Sequence, residues 1–81
     1  MIRATYHVRA DWDPEAEVWV ATSGDVPGLA TEAGTIEGLA ERLRSLIPEL
    51  LEANGLLGDD SADAISFELT SHRHELVSVA S

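Results

Sequence analysis

The sequence predicts an α+β fold of two layers, a βββαβ chain whose mostly antiparallel four-stranded sheet carries one helix packed on one face. Three observations predict it. Apolar residues alternate from Ile2 to Trp12, recur at helical spacing from Ile36 to Leu51, and alternate again from Ala64. Period two marks a half-buried strand and period 3.6 an amphipathic helix.

The first strand places Ile2, Ala4, Tyr6, Val8, Ala10 and Trp12 on one face and Arg3, Thr5, His7, Arg9 and Asp11 on the other. Asp13-Pro14-Glu15-Ala16-Glu17 is a turn, in which Pro14 presets φ and offers no ladder donor. Val18 to Ser23 is rich in β-branched and aromatic residues and forms the second strand, antiparallel to the first. One register puts Val18 and Val20 inside and Trp19 outside, and a slip by one residue reverses them. The first register is the expectation, and it presents Trp19 to a partner.

Val26-Pro27-Gly28-Leu29 fits a type II turn, with Pro27 second and Gly28 at the third position, where φ is positive. Leu29 to Ala33 is a short third strand. Thr35 is a helix N-cap. Ile36, Leu39, Ala40, Leu43, Leu46, Ile47, Leu50 and Leu51 then share one helical face, and Gly55 supplies the left-handed C-terminal stop after Asn54. Pro48 removes one helical hydrogen bond at a cost of about 3 kcal/mol, so the helix either kinks there or breaks near Ile47. Residues 56–63 are a polar turn after two leucines. The last strand runs from Ala64 to about Arg73 with Ile65, Phe67 and Leu69 on one face, and His74 to Ser81 extends it or frays. A right-handed crossover sets this strand parallel to the first and gives the sheet order 3-2-1-4. One helix covers one face, so the other face is bare, and two edges stay open.

Composition bounds the function. The 81 residues form one domain, 1–81, with 44% hydrophobic and 25% charged residues. With no cysteine there is no disulfide frame and no thiolate metal site. Fifteen acidic residues face five arginines and no lysine, a formal net charge of −10. Nucleic-acid binding depends on neutralising phosphates with Lys and Arg, so direct DNA or RNA binding is not expected, nor is an anionic membrane surface. A basic protein would be steered toward the chain. The N-terminus lacks a signal-peptide layout and no apolar run approaches a membrane span, so a cytoplasmic location is expected.

The stretch from Val18 to Leu43 resembles the N-terminal domain of HicB-type antitoxins. In that family a strand enters an Asp-Leu-Pro-Gly-Cys corner, then Gly-Asp-Thr-Leu-Glu-Glu-Ala and a helix. The matching positions are Asp25, Val26, Pro27, Gly28 and Leu29, then Thr35, Ile36 and Glu37. The chain resembles still more closely a small uncharacterised stand-alone branch of that superfamily, around WDPEAEVWVA and through LIPELLEANG, over about residues 2–57. The resemblance implies a truncated ribonuclease H-like βββαβ unit and a protein-interaction role that neutralises a small basic toxin. The family cysteine is Leu29 here, and Ala33-Gly34 replaces the second Gly-Asp step. No C-terminal ribbon-helix-helix or helix-turn-helix follows in these 81 residues, so operator binding is not carried over.

The remaining constellations have plain structural explanations. The Pro-Gly corner has neither phosphate-loop spacing nor a lysine, so Pro27, Gly28, Thr35 and Gly55 read as turn and cap residues. His72 and His74 share a face with His7, which raises a zinc or nickel site, but no fourth ligand is evident and no metal or cofactor is expected. Asp11, Asp13 and Glu37 are the carboxylates a two-metal nuclease would use, yet Asp13 reads as a turn residue and Glu37 as helix N-terminal charge, so no catalysis is expected. The candidate interface residues are His7, Arg9 and Trp19. Two roles follow: an antitoxin-type module for a small basic toxin, or a stand-alone homo-oligomer using its bare sheet face.

Overall fold

The computed structural model describes residues 2–57 and 64–80, with side chains from residue 5 onward. The expected inward placement of Ile2 and Ala4, and residues 58–63 of the expected turn over 56–63, lie outside the described side chains and residues. The elements are β1 (Ile2–Asp13), β2 (Val18–Thr22), β3 (Thr31–Ala33), α1 (Ile36–Ala53) and β4 (Ala64–His72). They form one four-stranded mixed sheet in the order β3-β2-β1-β4. β2 is antiparallel to both β1 and β3, and β4 is parallel to β1.

The helix forms for the reasons its sequence states. Thr35 is its N-cap, accepting a hydrogen bond from the Gly38 amide at 2.9 Å. At the other end Leu56 N–H donates to the Leu51 carbonyl at 2.8 Å and Gly55 N–H to the Glu52 carbonyl at 3.0 Å. That is the Schellman pattern, and Gly55 sits at φ 67° as it requires. The helix runs unbroken through Pro48 to Ala53, so of the two alternatives the break near Ile47 does not occur. Packing accounts for this. Leu39, Leu43, Ile47 and Leu51 recur every fourth residue and are all fully buried.

These side chains meet Val8 and Ala10 from β1, Ala21 from β2, Ala33 at the end of β3, and Val26 and Leu29 from the β2–β3 connection. Ala10 and Ala21 lie directly opposite each other. Small residues there leave room for the leucines of α1. Ile65, Phe67 and Leu69 of β4 pack on this core but stay half-buried, as does Tyr6.

The β1–β2 hairpin has the opposite register from the one expected. Trp12 pairs with Trp19, Asp11 with Val20 and Asp13 with Val18. Trp19 therefore lies on the helix side, and Val18 and Val20 lie outside. The two indoles meet edge to face at 5.3 Å, an arrangement worth about 0.5–1.5 kcal/mol beyond burial. The turn fits this register: Asp13 accepts the Glu15 and Ala16 amides on Oδ1 and the Glu17 amide on its carbonyl. Glu17 closes it at φ 57°.

Residues 73–80 continue beyond β4 as an exposed extended segment, free of helix, turn and bend. They neither join the sheet of their own chain nor fold back, and the long dimension of the molecule reaches 63 Å.

Candidate functional site

The sheet face opposite α1 is open and carries charged side chains. β1 contributes Thr5, His7, Arg9 and Asp11, β2 Val18, Val20 and Thr22, β3 Glu32, and β4 Glu68, Thr70 and His72, because alternate residues of paired strands point the same way. The bare face predicted from one helix is present, and it is polar apart from Val18 and Val20.

At its centre His7 is held by the loop after β2. The His7 amide donates to Asp25 Oδ2 at 2.8 Å, and its Nδ1 lies 3.0 Å from the same oxygen. Nε2 faces Glu68 Oε2 at 3.7 Å. Ser23 Oγ donates to the His7 carbonyl at 2.6 Å and accepts the Asp25 and Val26 amides at 3.0 and 3.2 Å. Two short side chains thus staple the connection to β1. The His7 amide, then its side chain, hold the Asp25 carboxyl below the usual carboxylate range. Arg9 Nε contacts both oxygens of Asp11, at 3.1 and 3.0 Å.

The corner that follows is a turn, as its sequence says. Leu29 N–H donates to the Val26 carbonyl at 3.2 Å with Gly28 at φ 81°. Pro27 occupies the second position and is exposed. The amides of Asp25, Val26 and Leu29 all have internal acceptors, so the loop does not offer them to a phosphate.

His7 and Arg9 share the open face, and Trp19 does not; the three expected interface residues are not one patch. Trp19 is on the covered side because two large apolar rings gain more from each other and the core than one gains from water. The histidines are also apart: His7 is level with Glu68, whereas His72 is level with Asp11, four residues along the strand. Among the described residues no three His, Asp or Glu side chains are grouped as a metal ion requires. Asp11 and Glu37 lie on different layers, on β1 and in the first turn of α1. Sequence reasoning missed Ser23 and Glu68, and it noted Asp25 only as a corner residue and not as the partner of His7. The Ser-Gly-Asp order after β2 was a local signal, since Ser and Asp bond nearby amides readily; the contact to Glu68 had none.

Fold and face together define a small α+β protein with an open, charged sheet surface. The chain belongs to the family described as Domain of unknown function (DUF1902), whose model matches residues 5–80. It is also similar to a solved structure described as a hypothetical protein, TTHA1013, from the extremely thermophilic bacterium Thermus thermophilus. The two are 46% identical, with a TM-score of 0.75 over 90% of this chain and 99% of that one. Comparison with curated proteins finds no match. No described helix is long and apolar enough to cross a membrane.

Proposed function

We propose that this protein is a binding module for a small basic protein, in the manner of a HicB-type antitoxin domain and its toxin. The observation that carries the reading is charge. The chain has a net charge of −10, and among the described residues Arg9 is tied to Asp11 and Arg73 to Glu75 of its own chain. The resulting acidic field favours a cationic partner and raises its association rate. The resemblance at Asp25-Val26-Pro27-Gly28 and Thr35-Ile36-Glu37 supports the same class. The receiving surface is the open face around His7, Asp25, Glu68 and Glu32. Its role is binding and not catalysis, in the cytoplasm and without a cofactor.

The reading predicts a short basic protein encoded beside this gene, and the test is calorimetry with that protein; the absence of such a neighbour would also count against the proposal. Binding is expected, and affinity should fall at least about tenfold between about 50 and about 500 mM salt, since such contacts are screened. No binding at low salt, or binding indifferent to salt, would overturn the proposal.

A further inference from the structure

The described surface carries one conspicuous apolar exposure. Leu76, Val77 and Val79 are 93%, 82% and 89% exposed, against 46% for Leu56, the next large apolar residue. They lie on the extended segment 73–80, which prolongs β4 in line. Arg73 anchors its start, with its guanidinium 4.2 Å over the Trp12 ring and its Nε 2.7 Å from Glu75. Leu76 to Ala80 contains no charged residue in a chain of net −10. The family match runs through this segment to residue 80, so it belongs to the domain.

β4 is the outermost strand, and its helix-side row, Ile65, Phe67 and Leu69, is only half-buried. An exposed edge of this kind is a template for another strand. The segment cannot return to its own edge, because it contains no turn. A second copy brings the same segment in the opposite direction.

We propose that residues 73–80 are a dimerisation arm: the arm of each copy adds as an antiparallel strand to the β4 edge of the other, about a twofold axis near His72. The lengths agree, eight arm residues against the nine of Ala64–His72. The pattern agrees as well. In this register Val79 of one copy faces Ile65 of the other, and Val77 faces Phe67. Directly opposed residues of an antiparallel pair share a face, so both valines continue the half-buried row. A one-residue slip would set Ser78 and Ala80 there instead, so the pattern specifies which face of the arm lies inward. Such a contact is isologous, as twofold dimers require. The uncharged end of each arm, Leu76 to Ala80, then meets Ala64 to Glu68 of the other copy. Eight extended residues span about 26 Å, and two arms with the edges they cover reach the range of about 1,200–2,000 Å² typical of a stable interface.

The experiment is sedimentation equilibrium of the full chain, paired with disulfide trapping in a protein that has no cysteine of its own. The full chain should sediment with twice the chain mass. Val77→Asp/Val79→Asp should raise the dimer dissociation constant at least about 100-fold with an unchanged far-ultraviolet circular dichroism spectrum, a loss of about 2.7 kcal/mol or more. Both side chains are solvent-exposed in the single chain, so the fold does not depend on them. The Ile65→Cys/Val79→Cys variant should oxidise to a covalent dimer. Within one chain those positions stand about 46 Å apart along the strand, far beyond disulfide reach. A monomeric full chain, a dimer that survives the two aspartates, or a dimer whose double-cysteine variant gives no crosslink between copies would each overturn the proposal.

Discussion

Replacing Ser23 with alanine removes one oxygen and three hydrogen bonds. The hydroxyl donates to the His7 carbonyl and accepts the Asp25 and Val26 amides. These losses are unequal. The His7 carbonyl and the Asp25 amide are at exposed positions and can turn to water. The Val26 amide is partly buried, and its side chain is 1% exposed beneath the loop. Stranding such an amide costs about 1–3 kcal/mol, and replacing the other two bonds by water adds little. A loss of about 2 kcal/mol is therefore expected for Ser23→Ala, out of about 4–12 kcal/mol for a domain of this size. The melting temperature should fall by about 8–16 °C. Urea unfolding followed by the fluorescence of Trp12 and Trp19 measures it directly, with the same denaturant slope for both proteins. Ser23→Thr keeps the oxygen and should recover most of the loss. An alanine variant within about 0.5 kcal/mol of the parent, the ordinary range for a surface change, would refute the staple.

Two further outcomes are expected. Gly28→Ala should cost about 1–2 kcal/mol from its left-handed backbone alone, because the added Cβ would meet only Leu50 Cδ2 at an ordinary 3.7 Å; an unchanged urea midpoint would show that the corner tolerates another turn. Asp25 has its pKa lowered in the folded state, so its stabilisation is complete above its unfolded value and is lost as pH falls through the folded one. The gap in melting temperature between the parent and Asp25→Ala should therefore be full near neutrality and close progressively in acid; a gap that does not change with pH would remove the His7–Asp25 contact from the account.

Much of the fold was legible because its signals are local. The alternation of Tyr6, Val8, Ala10 and Trp12 marked the buried face of β1. The fourfold spacing of Leu39, Leu43, Ile47 and Leu51 marked the buried face of α1. The β2 register was not legible. In Val-Trp-Val-Ala-Thr both parities are apolar, so periodicity does not choose between them. The candidate site was less legible than the fold, since His7, Asp25 and Glu68 come from three separate segments.

What the sequence determined alone is the set of elements, the helix ends at Thr35 and Gly55, the Pro27-Gly28 corner and the acidic balance, although β3 begins at Thr31 and not at Leu29. These follow from chain geometry and charge within a few residues. Tertiary structure decided the rest. It turned Trp19 inward against Trp12, carried the helix through Pro48, brought His7 between Asp25 and Glu68, and left residues 73–80 in line with β4, outside the sheet of their own chain. Each of these depends on which surface meets which, a competition between distant segments that no local spacing encodes.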